Sequence, residues 1–533
     1  MESKKYQAFW RGAIILTIAS FVTKVLSAFY RIPYQNIAGD IGFYIYQQIY
    51  PFYGFCLILA TYGFPIIISK MVAERLERGK KQEAEEIICV SFWFLLGIGF
   101  IGFFTLFFGA EAIATAMGDI HLDKLLRVIS FSFILMPFLS VARGYFQGFN
   151  NMMPTAVSQV IEQTIRVSII VFLSLFLIAH EFDLYTVGAG AMLGSIAGGL
   201  IGIIVLILYM RHDFRSIFFK SVKRIKGKKK IIKILFWQGL AICVSNLVLI
   251  FIQMADSVSF YSLLIGAGEP AESAKVLKGV YDRSIPLMQL GTVVTTSFSL
   301  SLIPIITAAK ERGDLTFIRE KVRLAMKITF VIGFAAAIGL TCIIKPTNIM
   351  LFENSDGSDV LSILSLSILF SSLSITTASI LQGLGQTLKP AIFVVFGGCL
   401  KLVLNYILMP YFGAKGAAIA TLVALIVISV LNSMLLMRAV SESLIDKRNM
   451  LGIVISGFSM GFVLIMFMRV LQMSGLVMDT SHRGVATFEA LLGVAIGGLA
   501  YMFLILKLRV FTKAEIGTVM KKEKKEGSLK KSG

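Results

Sequence analysis

Fourteen long apolar stretches run through this chain of 533 residues and limit what it can fold into. Each stretch has about 20 residues or more, the length that an α-helix needs to cross the hydrocarbon core of a bilayer. Hydrophobic residues make up 56% of the sequence and charged residues only 15%, which is typical of a polytopic membrane protein. We therefore predict an all-α membrane protein with fourteen transmembrane helices. They lie near 10–31, 43–69, 87–108, 125–147, 154–179, 185–210, 234–260, 284–307, 324–345, 360–383, 390–410, 415–437, 450–471 and 485–507.

The connections between these stretches alternate in charge. One set is basic and comprises 70–86, 211–233, 310–323, 438–448 and the tail from 507. The other set is neutral to acidic and comprises 111–123, 180–183, 269–278 and 353–359. Cytoplasmic loops of membrane proteins are enriched in Lys and Arg. This rule accounts for the net charge of +20 without nucleic acid as a partner, and it places both termini in the cytoplasm.

The sequence repeats itself with an offset of about 230 residues. Phe9-Trp10-Arg11-Gly12 returns as Phe236-Trp237-Gln238-Gly239, and the pair Tyr46 and Pro51 returns as Tyr281 and Pro286. Each repeat holds six apolar stretches, so both repeats have the same orientation. Parallel repeats predict two six-helix bundles related by a pseudo-two-fold axis along the membrane normal, with a central cleft between them.

The repeats divide the chain into five predicted regions. An N-terminal six-helix bundle, 1–213, is followed by a basic cytoplasmic linker, 214–233. The linker suits either an amphipathic helix on anionic headgroups or a solvated loop. A C-terminal six-helix bundle, 234–440, then precedes two additional transmembrane helices, 441–508. The basic cytoplasmic tail, 509–533, has no apolar face and is predicted to be disordered.

The first apolar stretch carries two cations. Lys24 lies about fourteen residues from Trp10, roughly 21 Å along a helix, and Arg31 follows two turns later on the same face. A charge that faces lipid is costly, so intramembrane cations usually face a cavity or a partner. Arg31 has the alternative of reaching to the headgroups, whereas Lys24 is too deep to do so. We predict that this face lines a cationic path.

The fifth stretch of each repeat carries another cation, Arg166 in the first and Lys401 in the second, each roughly 17 Å deep. Glu162 precedes Arg166 by four residues, the favoured spacing for an ion pair within one helix. Arg166 therefore either faces the cleft or pairs with Glu162. Lys401 has no acidic neighbour in its own helix, which favours a position in the cleft.

Towards the predicted outer side, Asp256 ends the seventh stretch, and Asp282 and Arg283 open the eighth. The Asp282–Arg283 pair is either interfacial, with the carboxylate favoured by the helix dipole, or places Arg283 across the cleft from Lys24 and Arg31. The five cations outnumber the three supporting carboxylates. We therefore expect a net cationic cleft and an anionic cargo, since guanidinium and ammonium groups suit phosphates.

The repeated segments QGFNNMMPTA and QGLGQTLKPA resemble the multidrug/oligosaccharidyl-lipid/polysaccharide flippase superfamily and, within it, the polysaccharide-transporter branch that includes stage V sporulation protein B. The likeness to MurJ-type lipid II flippases is more distant. TKVLSAFYRI and YDRSIPL resemble signatures of these flippases. The resemblance implies a MATE-like fold and contact of Lys24, Arg31 and Arg283 with a lipid-linked diphosphate. Lys24 departs from the family pattern, which has arginine there.

These inferences combine into one predicted function. The protein is expected to move an anionic lipid-linked saccharide, a polyprenyl-diphosphate precursor of peptidoglycan or polysaccharide, across the bacterial cytoplasmic membrane by alternating access. Membrane lipids surround it, and cell-envelope synthases are candidate partners. The alternatives are a cation-coupled multidrug exporter and a membrane-embedded enzyme acting on lipid-linked sugars. No P-loop and no histidine pair in zinc-ligand spacing occurs in the sequence, so we expect no catalytic residue, metal or cofactor.

Overall fold

A computed structural model describes residues 2–210, 227–441, 444–473 and 482–512. Within these ranges the regular structure consists of helices, without strands, which confirms the predicted all-α class. The missing ranges contain most of the predicted linker 214–233 and nearly all of the predicted tail 509–533, so those two predictions lie outside the described residues.

The first half of the chain forms eight α-helices. A π-helical turn, Leu59–Gly63, joins the second helix to the third. Pro65 follows directly, and because a proline ring clashes with the carbonyl group four residues earlier, the widened turn accommodates it. The helices are α1 (Glu2–Phe29), α2 (Arg31–Ile58), α3 (Phe64–Glu77), α4 (Lys81–Phe108), α5 (Ala110–Ala116), α6 (Asp123–Gly148), α7 (Met153–Ala179) and α8 (Leu184–Tyr209).

The second half begins with two short helices that flank another π-helical turn, Leu235–Gly239. It ends with two long helices that pack against each other. Its helices are α9 (Lys228–Ile234), α10 (Leu240–Ser245), α11 (Val248–Gly266), α12 (Ala271–Asp282), α13 (Ser284–Glu311), α14 (Leu315–Cys342), α15 (Ile344–Phe352), α16 (Ser358–Gly383), α17 (Leu388–Val440), α18 (Lys447–Met473) and α19 (Arg483–Lys507).

Two glycines divide continuous helical segments that are long enough to cross a membrane twice. Gly39 interrupts α2 with φ 67°, and Gly413 interrupts α17 with φ 51°. Both angles lie where a Cβ atom would be strained, so glycine suits these bends. Eleven helical segments of the described chain have the length and apolarity of membrane spans, and two of them, Ile15–Glu77 and Leu388–Val440, contain these breaks. That arrangement is compatible with fourteen crossings.

The helices form two packed groups around a central space. In the first group, α4, α6, α7 and α8 pack on one another, and in the second group, α14, α16 and α17 do so. α1 and α2 reach across to α13 and α12 respectively, so the first two helices lie at the boundary. α18 packs on α14, and α19 packs on α15, which places the last two helices beside the second group.

Candidate functional site

A cavity of about 220 Å³ lies between the two groups of helices. A single buried water needs only about 10–15 Å³, so this space is of the size that takes a ligand. Its walls come from both halves of the chain. They include α1 and α7 on one side and α11, α13 and α16 on the other, with the tyrosines at 50 and 62 and hydroxyl groups of several Thr and Ser residues.

Lys24 lines this cavity. That its helix face lines a cationic path stays a prediction. Its Nζ atom lies 5.9 Å from the centre of the Tyr62 ring. Among the described residues, no carboxylate lies within ion-pair distance of this ammonium group. Lys24 therefore adds to the cavity wall a positive charge that none of the described residues neutralises.

Arg31 is fully buried at the start of α2 and bridges the two groups of helices. Its Nη1 atom donates to the Ser27 carbonyl at 2.7 Å and to Oε1 of Gln289 in α13 at 2.6 Å. The guanidinium stacks on the Tyr50 ring at 4.3 Å. Nε and Nη2 have no hydrogen-bond acceptor among the described residues, so Arg31 is a buried cation with unused donors and does not extend to the headgroups.

Arg166 lies in a cage of tyrosines. Its Nη2 atom donates to the Tyr30 hydroxyl at 3.0 Å and the Tyr46 hydroxyl at 3.3 Å, and these two hydroxyls are 2.8 Å apart. The guanidinium also stacks on the Tyr53 ring at 4.4 Å. A desolvated cation–π contact contributes about 2 kcal/mol, so the cage holds the charge without a carboxylate.

Glu162 pairs with Arg143 of α6 and not with Arg166. The alternative in which Arg166 pairs with Glu162 within one helix is therefore wrong. Arg143 is fully buried and also donates to the Thr61 hydroxyl at 3.1 Å. Sequence reasoning missed Arg143 although it lies inside the fourth apolar stretch, where the same argument that singled out Lys24 applies.

Replacing Glu162 with glutamine is expected to lower the free energy of unfolding by about 3–5 kcal/mol, because it leaves the buried Arg143 charge without a counter-ion. Thermal unfolding in detergent would measure this loss. Glu83→Gln is the matched control, since Glu83 pairs with Arg75 and Lys80 at an exposed position, and such pairs contribute about 0–1 kcal/mol. Equal stability of the two variants would contradict the structural role of the Arg143–Glu162 pair.

Lys401 is fully buried and has an acidic partner outside its own helix. Its Nζ atom lies 2.8 Å from Oδ1 of Asp256 in α11, and it donates to the Ala417 carbonyl at 2.6 Å. Tyr281 completes the arrangement, 3.5 Å from Lys401 and 3.0 Å from Asp256. Lys401 is not among the residues that line the large cavity, so the expectation that it faces the cleft as an unpaired charge is wrong.

Arg166 and Lys401, the cations in the fifth apolar stretch of each repeat, share one feature of their surroundings. Arg166 contacts Tyr46, and Lys401 contacts Tyr281, which is the tyrosine that answers Tyr46 in the repeat. The third member of each triangle differs: it is Tyr30 in the first half and Asp256 in the second. The geometry thus supports the internal repeat and shows that only the second copy neutralises its cation.

Arg283 does not face Lys24 and Arg31, which corrects the predicted arrangement. It is fully buried and forms an ion pair with Asp40, the residue after the bend at Gly39, with Nη2 to Oδ2 at 2.7 Å and Nε to Oδ1 at 3.0 Å. Asp282 instead pairs with Lys278 at 2.5 Å. Sequence reasoning missed Asp40 and Lys278 because both fall between the apolar stretches.

The Arg283–Asp40 pair belongs to a contact between the two halves on the predicted outer side. Gly279 of α12 packs so closely on Asp40 that an added Cβ atom would lie 2.1 Å from the Asp40 carbonyl oxygen. Nearby, Gln48 donates to the Ser257 carbonyl at 3.0 Å. Lys275 donates to the Tyr185 hydroxyl at 2.7 Å. We call this set of contacts the outer closure.

The described residues do not meet the requirements of a metal site. No three His, Cys, Asp or Glu side chains of the described residues come together as a metal site. The expected absence of a metal, cofactor and catalytic residue stays a prediction.

Comparison with known proteins agrees with this geometry. The family model "Polysaccharide biosynthesis protein" matches residues 9–310, and the family model MatE matches residues 279–407. The uncharacterized membrane protein YabM of Bacillus subtilis is 41% identical, covering 96% of this chain and 94% of its own length. From the same organism, the lipid II flippase MurJ is 26% identical over 92% of this chain and 94% of its own length. Stage V sporulation protein B is 25% identical over 96% and 97% respectively.

Solved structures share the fold. Lipid II flippase MurJ in an inward closed conformation superposes with a TM-score of 0.65 at 15% identity, covering 93% of this chain and 99% of that one. An inward-facing MATE family transporter reaches a TM-score of 0.65 at 16% identity, covering 80% and 98%. The predicted MATE-like fold is therefore confirmed. On the match across 9–310 and the identity to YabM, the chain belongs to the polysaccharide biosynthesis protein family.

Proposed function

We propose that this protein is a flippase that moves an anionic lipid-linked saccharide, carried on a polyprenyl diphosphate, outward across the bacterial cytoplasmic membrane. The observation that carries the proposal is Lys24, an ammonium group on the wall of a cavity between two helical groups, without a carboxylate partner among the described residues. Such a charge inside a membrane favours an anionic ligand.

The distribution of ion pairs supports an anionic cargo. Arg143, Lys278, Arg283 and Lys401 each have a carboxylate partner. Lys24, Arg31 and Arg166 have hydroxyl, carbonyl, amide or aromatic neighbours in their place. Of these seven cations, the three without a carboxylate partner among the described residues come from the first half of the chain. Lys24 and Gln289, the acceptor of Arg31, both line the cavity.

Transport would proceed by alternating access, with one group of helices rocking against the other around the cavity. The outer closure would break when the cavity opens outward, since the Arg283–Asp40 pair and the Gly279 contact join the two halves there. Arg31 would link this motion to cargo, because a phosphate that accepts from its Nη1 atom would replace Gln289 as the acceptor. Cell-envelope synthases that use the exported precursor are the proposed partners.

The proposed membrane orientation places both termini in the cytoplasm. In a cysteine-free version, single cysteines at the exposed positions Glu111 and Glu272 are expected to react with a membrane-impermeant thiol reagent in intact cells. Cysteines at Lys81 and Lys229, also exposed, are expected to react only after the cells are opened, because basic loops stay inside. Labelling of the second pair in intact cells would reverse the orientation.

The test of the function itself is mass spectrometry of lipids that purify with the protein. We expect polyprenyl-diphosphate saccharides with the natural protein and at least a tenfold smaller amount with Lys24→Glu, which places an anion beside the path. Equal recovery from both proteins would refute the assignment of the cavity as the cargo site.

The second candidate is a cation-coupled multidrug exporter, which the MatE match to residues 279–407 favours. A cationic drug calls for an unpaired carboxylate in the cavity. Glu162 is the only carboxylate among the described residues that line it, and Arg143 neutralises this group. Increased drug resistance of cells that express the protein, unaffected by Lys24→Glu, would favour this candidate.

A further inference from the structure

Arg31 lies directly behind the wall of the cavity. Three of its neighbours, Ser27, Tyr50 and Gln289, line the cavity. Ser27 and Gln289 accept hydrogen bonds from Nη1 of Arg31, and the Tyr50 ring stacks on the guanidinium at 4.3 Å. Arg31 itself is fully buried. The groups that hold Arg31 in place therefore also form the surface that the cargo would meet.

Tyr50 also contacts a second buried cation. The guanidinium carbon of Arg166 lies 5.7 Å from the centre of the Tyr50 ring, and the guanidiniums of Arg31 and Arg166 both lie 5.3 Å from the centre of the Tyr30 ring. Within the described part of the chain, neither arginine forms an ion pair with a carboxylate. The face of an aromatic ring is negative, so the two rings stabilise two cations that repel each other.

The tyrosine rings leave hydrogen-bond donors of both arginines unused. Nε and Nη2 of Arg31 and Nε of Arg166 are buried and have no acceptor among the described residues. A guanidinium has only donors and is always charged, so the missing partner has to be an acceptor, and a negative one is favoured. A carboxylate in the protein would take these donors, whereas the face of a ring stabilises the charge and leaves them free.

We propose that Tyr50 is a positioning residue of the cargo site, whose ring holds Arg31 against the cavity wall and keeps its unused donors available to the diphosphate of the cargo. This inference rests on the proposed function and names a residue on which that function depends. Tyr50 acts through Arg31, and it does so by the negative face of its ring and not by its hydroxyl group.

The test measures binding of inorganic pyrophosphate to the purified full-length protein in detergent. Tyr50→Phe keeps the ring and should bind pyrophosphate within about threefold of the natural protein. Tyr50→Leu should bind it roughly fivefold more weakly or worse, because the cation–π contact with Arg31 is lost. Tyr501→Leu is the matched control, since Tyr501 is a buried tyrosine of α19 that donates to the Val331 carbonyl. It should lower the thermal stability and leave the affinity for pyrophosphate unchanged.

Two further variants separate positioning from a loss of structure. Pentafluorophenylalanine at position 50 keeps the shape of phenylalanine but removes the negative face of the ring. It should therefore weaken binding as Tyr50→Leu does, and it provides the test even where the leucine variant does not fold. In a protein that already carries Arg31→Gln, Tyr50→Leu should change the affinity by less than about twofold, because Tyr50 acts through Arg31.

Lys24→Met separates this inference from the function on which it rests, because it should weaken pyrophosphate binding whatever Tyr50 does. Equal affinity of the natural protein and the pentafluorophenylalanine protein, still weakened by Lys24→Met, would overturn the role of Tyr50 and support the anionic-cargo function. An equal loss from Tyr50→Leu with and without Arg31 would show a structural role and would also overturn the inference. Failure of pyrophosphate to bind the natural protein would overturn both.

Discussion

Lys24→Glu is expected to abolish transport while the amount of folded protein stays close to normal. Among the described residues, Lys24 has no hydrogen bond or ion pair that the substitution would break, and its contact with the Tyr62 ring, at 5.9 Å, is loose. The new carboxylate would lie on the wall of the cavity and repel a diphosphate. Complementation of a strain that lacks the protein, together with its level in the membrane, would measure both effects.

Companion substitutions at position 24 separate charge from shape. Lys24→Met should weaken cargo binding roughly ten- to a hundredfold, since a charge-assisted contact contributes about 1.5–3 kcal/mol. Lys24→Arg should retain most activity, because the charge persists and a guanidinium suits phosphate. Lys229→Glu is the control for the same charge reversal at an exposed position, and it should transport normally. Full transport by Lys24→Glu would eliminate the anionic-cargo proposal.

Gly279→Ala is expected to shift the protein away from the outward-closed arrangement and to reduce transport. In an ordinary helix this substitution is favourable by about 1 kcal/mol, so a loss must come from the added methyl group. That group would lie 2.1 Å from the Asp40 carbonyl oxygen, a backbone atom that cannot turn aside. Overpacking of this kind costs on the order of 1–3 kcal/mol, enough to change the ratio of two conformations by a factor of about 5 to 150.

A reporter cysteine would reveal the shift. Ser257 is 1% exposed and its carbonyl group accepts the hydrogen bond from Gln48 in the outer closure. In a cysteine-free version, Ser257→Cys should become more reactive toward an impermeant thiol reagent from outside when Gly279→Ala is added. Gly266→Ala is the control, because a Cβ atom there meets no atom within 4 Å. Unchanged labelling with normal transport would show that the Gly279 contact does not restrain opening.

The sequence was sufficient to predict the helical class and the internal repeat, because long apolar stretches and their spacing are local properties of the chain. It also drew attention to Lys24, Arg31 and Arg166, since a charge inside an apolar stretch needs a special environment. That these cations contact cargo stays a prediction. The number of crossings remains a prediction that the structure accommodates.

The sequence could not predict which residues form ion pairs with the buried charges. Glu162 and Arg166 have the spacing of a helical pair, yet the carboxylate pairs with Arg143 from another helix. Lys401 has no acidic neighbour along its helix and finds Asp256 across the bundle. Arg283 pairs with Asp40, which is distant in sequence. Spacing within a helix predicts which residues can meet locally, whereas packing decides which of several counter-ions a buried charge obtains.

The two triangles around Arg166 and Lys401 have a consequence for the charge of each half. Each copy of the repeat keeps a cation and a tyrosine in the same relation, and the copies differ in whether Tyr30 or Asp256 occupies the third corner. The third side chain decides whether the triangle of a given half is electrically neutral or positive. Two copies of one helical frame can thus hold a neutralised cation in one half and a cation without a carboxylate partner in the other, while the helices keep the same arrangement.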